Sequence, residues 1–208
     1  MDEIYRVQRH IYDLTRKYYL LGRDQAVRDL ALPDGGTVLE IGCGTARNLV
    51  AIARRYPRAA VFGIDISREM LASAATRVAR ERLGGRIVLG EADAANFDPA
   101  GILGRARFDR ILFSYTLSMI PEWQNALRHA AGLLTPGGVL SVVDFGDQHR
   151  LPQWFRTGLR TWLARFDVCP RDELPLWIAG MADELGLTSR CDQLRRGYAM
   201  RATLTCAT

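Results

Sequence analysis

The feature that most constrains this chain is the run Val38-Leu39-Glu40-Ile41-Gly42-Cys43-Gly44-Thr45, answered by a second apolar run, Val61-Phe62-Gly63-Ile64, that ends in Asp65. A short apolar strand delivers an acidic residue and two glycines one residue apart. A helical pattern follows, and the next strand closes on a carboxylate. Glycines let a backbone approach a ligand closely, and free N–H groups at a helix start attract negative charge. A carboxylate ending the second strand is placed to accept hydrogen bonds from both hydroxyls of a ribose. The pattern points to a grip on a nucleoside-bearing cofactor.

The rest of the chain repeats the same alternation. Residues 3–31 read as helical, with Ile4, Val7, Ile11, Leu14, Tyr18 and Leu21 at spacings of three and four and a break at Gly22. Strands are expected at 38–42, 60–65, 87–90, 108–114 and 139–145, with helices at 46–55, 67–83 and 122–134 between them. Ser67 is the N-cap candidate for the 67–83 helix, and Pro136-Gly137-Gly138 reads as the turn into the fifth strand. A helix at 173–185 and two strands at 188–193 and 198–205, joined by Arg195-Arg196-Gly197, end the chain in a hairpin. The expected fold is α/β: a Rossmann-like seven-stranded sheet, mostly parallel with a C-terminal antiparallel hairpin and helices on both faces. One domain is expected over 1–208, with an N-terminal helical cap (1–31), a cofactor-binding core (36–147), a lid (148–172) and a C-terminal helix and hairpin (173–208).

The glycine loop departs from the dinucleotide fingerprint G-x-G-x-x-G. Here the third glycine position is Arg47, and the pattern instead starts from an acidic residue, Glu40-x-Gly42-x-Gly44-x-Ala46. Further on, Gly90-Glu91-Ala92-Asp93-Ala94, Phe108-Asp109-Arg110-Ile111-Leu112 and Leu134-Thr135-Pro136-Gly137-Gly138 stand at the third, fourth and fifth strands. With these motifs the chain resembles the class I S-adenosylmethionine-dependent methyltransferases over roughly residues 30–208. The resemblance implies that Gly42, Cys43 and Gly44 pass under the methionine portion of that cofactor and that Glu40 meets its amino group. It also implies that Asp65 holds the ribose, Ile66 and Met70 flank the adenine, Asp93 and Ala94 meet its edge, and Ser114 and Tyr115 sit beside the sulfonium. Ala46 stands where the family commonly has glycine, and is compatible with the loop if that position has a negative φ.

The segment Arg9–Asp24 resembles the methyltransferases that make betaine lipids by N-methylating the homoserine headgroup of a diacylglyceryl lipid. Its residues suit such a substrate, because aromatic faces stabilise ammonium and sulfonium charge. Tyr12 and Tyr19 are seven apart and share a helix face, as do Arg16 and Arg23, which suit a carboxylate. Segment 151–166 adds an aromatic stripe, including Trp154, flanked by Arg156, Arg160 and Arg165. Such a stripe fits either a membrane interface or a lid. Tyr12, Asp144 and His149 are the candidates to accept or relay the proton an amine must lose. The leading expectation is therefore methylation of that lipid amine. Phosphatidylethanolamine, a small quinone or natural product, and a non-catalytic binding role are the alternatives.

Bulk properties narrow the classes further. No apolar run approaches the ~20 residues that cross a bilayer, and Met1-Asp2-Glu3 lacks a basic, apolar leader pattern. A cytoplasmic location is expected, with peripheral contact on the inner membrane face. Cys43, Cys169, Cys191 and Cys206 form no C-x-x-C pair, and His10, His129 and His149 have no ligand spacing, so no metal is expected. The net charge of +5, carried by 28 basic residues of which only Lys17 is lysine, suits an anionic partner or reflects a coding bias toward arginine. Nucleic acid is not expected: Ser114-Tyr115-Thr116-Leu117 stands where an N-P-P-Y-type motif would follow the fourth strand.

Overall fold

A computed structural model describes residues 20–207. Most of the 3–31 helix expected from sequence lies outside that range. Within it, Gly22 adopts a left-handed conformation (φ 86°) and caps helix α1, Arg23–Arg28. Strand β1, Thr37–Ile41, is followed by α2, Arg47–Arg55; β2, Ala60–Asp65, by α3, Arg68–Arg80; and β3, Ile87–Glu91, by the short α4, Pro99–Leu103. Then come β4, Phe108–Ser114, α5, Trp123–Gly132, and β5, Leu134–Phe145. Helices α6, Gln153–Ala164, and α7, Leu174–Leu185, precede the hairpin of β6, Thr188–Leu194, and β7, Ala199–Thr205.

These strands form one sheet in the order β3-β2-β1-β4-β5-β7-β6. The first five are parallel, and β7 runs antiparallel to both β5 and β6. The fold class read from sequence is the one observed. Period-two alternation assigns the strand residues to two cores. Val38, Val61, Leu112 and Val143 face a core closed by α1, α2, α3 and α6. Leu39, Ile41, Phe62, Phe113 and Val142 face the one closed by α4, α5 and α7. Strand β1 and the central stretches of β2, β4 and β5 are buried on both faces, which is why they read as near-continuous apolar runs, while the edge strand β3 leaves Val88 exposed.

Two local expectations are corrected, and one helix is added. Helix α3 stops at Arg80 rather than 83, because Arg82 turns left-handed (φ 57°) and the Leu83 N–H reaches back to the Val78 carbonyl at 3.0 Å. The Pro136-Gly137-Gly138 turn is an irregularity inside β5 rather than a step before it. The strand already pairs Leu134 with Phe108, and the register shifts before Val139 meets Arg110. Helix α4 was not anticipated, although Asp98-Pro99 is its start signal: the Asp98 carboxylate accepts from the Ala100 and Gly101 N–H groups at 3.1 Å each.

Candidate functional site

The strand order reverses between β1 and β4, and in an open parallel sheet a ligand crevice lies outside the carboxyl ends at that point. A cavity of about 530 Å³ occupies this place. It is walled by the ends of β1, β2 and β4, the loop after β3, and residues of α1, α2 and α3.

Glu40 shares a strand face with Val38, so it points toward α1 and α2. It is only 2% exposed. One carboxylate oxygen accepts a 2.6 Å hydrogen bond from the Asn48 amide, and Oε2 has no partner among the described residues. Loss of water raises the pKa of Glu40 from 4.5 to about 8; the Asn48 bond and the Arg23 charge oppose that rise, and Asp65 adds to it. Arg23 itself is buried and lines the same cavity.

The loop after β1 is held from within. The Gly42 and Cys43 N–H groups both donate to the Ile64 carbonyl, at 2.8 and 2.9 Å, and Ala46 N–H donates to Cys43 O at 3.0 Å. Gly44 N–H donates to Asp65 Oδ2 at 2.8 Å. The N–H groups of Gly42, Cys43, Gly44 and Ala46 are thus committed internally, unlike those of a pyrophosphate cradle. Gly42 is left-handed (φ 72°), and a Cβ there would sit 2.2 Å from Thr116 Cγ2. Ala46 is also left-handed (φ 61°), so the condition under which alanine would fit without strain is not met. The glycine-like backbone is kept although the side chain is not glycine. Burial drives the Cys43 thiol far above its ordinary pKa, so it fills space in the loop rather than reacting.

Asp65 organises the second strand end. Its other oxygen, Oδ1, accepts from Ser67 N–H at 2.9 Å, and the Ser67 hydroxyl in turn caps α3 by accepting from Met70 N–H at 3.3 Å. This sets Ile66, 71% exposed, and Met70 on the cavity wall. Across from them, Asp93 closes its own turn by accepting from Ala95 N–H at 2.9 Å, and lines the cavity with Ala94. Ser114 and Tyr115 complete the wall at the end of β4. The Ser114 hydroxyl oxygen is buried without a partner among the described residues. The Tyr115 hydroxyl turns away and donates to the Leu21 carbonyl at 2.6 Å, its ring standing edge-on to Phe145 at 4.8 Å.

All eleven cofactor residues read from sequence, and Arg23, therefore line one cavity. The other candidates that fall among the described residues do not. Asp144 is buried in β5 outside the lining, where its carboxylate accepts from the main-chain N–H of Ser118 (3.1 Å) and of Phe145 (2.7 Å). His149 lies outside it too, in a loop, with Nδ1 at 2.6 Å from Asp147. Trp154 stands at the surface, 76% exposed, in the first turn of α6. Tyr12, Arg16 and Tyr19 lie outside the described residues. Sequence reasoning missed Asn48, Thr116, Met119, Ile120, Pro121 and Glu122, all of which line the cavity. Asn48 was the legible one, a polar residue on the otherwise apolar buried stripe of α2. Among the described residues, no three His, Cys, Asp or Glu side chains come together as metal ligands, and no helix is long and apolar enough to cross a membrane.

Residues 39–140 match the family model described as a methyltransferase domain. The chain is 32% identical over 139 residues to the Ubiquinone/menaquinone biosynthesis C-methyltransferase UbiE of Syntrophotalea carbinolica, a match covering 64% of this chain and 56% of that protein. It is 34% identical over 137 residues to the Trans-aconitate 2-methyltransferase of Rhodopseudomonas palustris, covering 62% and 49% respectively. The chain spans about half the length of these curated relatives. By their names neither is a betaine-lipid enzyme. The solved SAM dependent methyltransferase from Aquifex aeolicus shares the fold, with a TM-score of 0.67 at 17% identity and 93% coverage of both chains.

Proposed function

We propose that this chain, whose residues 39–140 match the family model described as a methyltransferase domain, binds S-adenosylmethionine and transfers the methyl group to a small-molecule acceptor. The observation that carries the reading is Glu40, a buried carboxylate with one unpartnered oxygen in the wall of the cavity. A buried acceptor of this kind is costly unless a donor meets it, and the amino group of the cofactor's methionine end is such a donor. Arg23 beside it suits the carboxylate of the same end. Asp65 keeps acceptor capacity for the ribose hydroxyls after receiving Gly44 and Ser67. Ile66 and Met70 offer apolar surface to the adenine, and Asp93 and Ala94 its edge.

When bound, S-adenosylmethionine supplies an electrophilic methyl group on a sulfonium. The chain's own contribution is to fix that group beside Ser114 and Tyr115 and to receive the acceptor along Thr116, Met119, Ile120 and Pro121. Orienting two reactants in this way removes much of the entropic part of the barrier. Asp144 acts here by holding the main chain at Ser118 rather than by touching the reacting atoms, and Glu122 is the carboxylate on the cavity wall at the acceptor side.

A small acceptor is favoured by the relatives, whose names specify a quinone pathway and trans-aconitate. A second reading, methylation of a lipid amine such as the homoserine headgroup of a diacylglyceryl lipid, is favoured by the exposed Trp154. Calorimetry with S-adenosylmethionine and S-adenosylhomocysteine tests the cofactor, and absence of binding by both defeats the proposal. Methyl-labelled cofactor offered with a demethylated quinol, trans-aconitate and homoserine-lipid micelles tests the acceptor. Transfer to the micelles alone would replace the first reading by the second.

A further inference from the structure

We propose that the end of the molecule carrying Trp154 and the β6–β7 turn is a docking surface for an anionic lipid bilayer. Helix α6 buries Leu163 and packs Phe155, Leu159 and Trp162 against the core. Trp154, in its first turn, stands in water with an edge contact to Phe155 at 5.8 Å. An indole exposed in this way gains by entering the headgroup region, where its apolar ring and its N–H are both accommodated.

The ground around it is cationic. Arg150 is exposed four residues before Trp154, and Arg195 and Arg196 are exposed at the hairpin turn. Both turn arginines are left-handed, with φ of 50° and 61°. The turn abuts the segment that leads into α6: Gln148 N–H donates to Gly197 O at 2.8 Å and Gly146 N–H to Tyr198 O at 3.0 Å. A Cβ on Gly146 would lie 2.4 Å from the Gly197 carbonyl oxygen, so the two segments are in direct contact. The nearby acids are engaged within the fold. Asp147 pairs with His149, Asp172 with Arg160 and Arg156, and Asp192 with Arg190 and Arg201. Arg150 Nε donates to His149 Nε2 at 3.2 Å and so meets no carboxylate among the described residues, and Arg195 and Arg196 add their exposed charges at this end.

A cationic rim around an exposed indole complements an anionic bilayer. Nucleic acid would meet the charges equally well, but the indole favours the lipid. Strand β5 is parallel to β1 and β4, so this surface lies at the same end of the sheet as the cavity. Docking would bring the cavity mouth toward a lipid phase. The docking stands apart from the identity of the methyl acceptor.

The test is flotation of the full chain with vesicles of phosphatidylcholine alone or mixed with phosphatidylglycerol, some carrying brominated acyl chains. Binding is expected only to the mixed vesicles, weakening with salt, with quenching of tryptophan emission by the brominated lipid. Trp154→Ala should remove most of the quenching. Arg195→Asn with Arg196→Asn, which keeps side chains that tolerate a left-handed backbone, should weaken binding by about 25-fold, from roughly fivefold per basic residue. S-adenosylhomocysteine affinity of that double variant should be unchanged, so loss of docking and loss of cofactor binding are told apart. No binding to mixed vesicles, equal binding to neutral ones, binding that neither variant alters, or binding to RNA in place of vesicles overturns the proposal.

Discussion

Asn48 donates a 2.6 Å hydrogen bond to one oxygen of Glu40 and leaves the other without a partner among the described residues. With its pKa raised to about 8, mainly by burial, Glu40 is mostly protonated near neutral pH in the free protein. An ammonium selects the ionised form, so cofactor binding must expel a proton. Calorimetry of S-adenosylhomocysteine binding at pH 7, in buffers of different ionisation heat, should show close to one proton released, falling toward zero well above pH 8. Glu40→Gln should abolish the release and weaken binding by roughly 10–100-fold, the worth of a charged hydrogen bond. A release unchanged in the variant would refute the assignment.

The same shift has a consequence for stability without ligand. A carboxyl whose folded pKa lies above its unfolded value binds more protons in the folded state. The Glu40 contribution is therefore full below about pH 4.5 and is lost as pH rises toward 8. Chemical denaturation of the free chain should show stability falling across that window, by up to roughly 1.4 kcal/mol per pH unit. Glu40→Gln should flatten the slope. Burial also raises Asp144, in the same direction, so a smaller slope should remain in the variant.

Gly42→Ala meets two obstacles at once. The position is left-handed, and the added Cβ falls 2.2 Å from Thr116 Cγ2, in the loop that forms the acceptor side of the cavity. Either Thr116 moves or the β1 loop does. A loss of about 1–3 kcal/mol in stability is expected, the usual cost of overpacking. Cofactor affinity should fall with it. An unchanged melting temperature and affinity would mean that the two loops are not in contact.

Asp144→Asn separates a positioning role from a chemical one. The carboxylate receives two main-chain N–H groups in a buried setting, and an amide offers one acceptor and turns a donor toward the second. A destabilisation of about 1–3 kcal/mol is expected from the N–H left unpaired. Were Asp144 the proton acceptor, the variant would also lose the acid limb of its pH–rate profile. The limb should survive.

The sheet was legible in the sequence because its central parallel strands are buried on both faces, leaving apolar runs such as Val61–Ile64 and Ile111–Phe113 between turn residues. The cofactor side of the cavity was legible for a related reason: Glu40, Gly42, Gly44 and Asp65 sit at strand ends, where a short motif fixes both place and direction. The acceptor side was not. Met119, Ile120, Pro121 and Glu122 belong to a loop whose path depends on Asp144, Thr116 and Gly42, contacts between residues far apart in the chain. Asp144 and His149 were chosen for their chemistry, but burial of the one and the 2.6 Å contact of the other with Asp147 put those groups to structural use. Helix α4 escaped notice because its five residues are too short to show a period.

Ala46 gives a prediction of opposite sign to the others. Its φ of 61° is a conformation that costs a non-glycine residue about 1–2 kcal/mol. Replacement by glycine relieves that strain, at the expense of about 0.5–1 kcal/mol in greater unfolded-state freedom and of the packing of one buried methyl group. The buried methyl is worth about 0.8 kcal/mol, so strain at the upper end of its range exceeds the two costs together by roughly 0.5 kcal/mol. Ala46→Gly should therefore raise the melting temperature by about 1–2 °C, since 1 kcal/mol corresponds to roughly 2–4 °C at this chain length. It should also leave the Glu40 and Asp65 ends of the cavity undisturbed, with S-adenosylhomocysteine affinity equal to or above that of the unaltered chain. A lower melting temperature would show that the methyl group, packed in the core beside Leu49 and Val50, outweighs the strained backbone, and that alanine is the better residue for this loop.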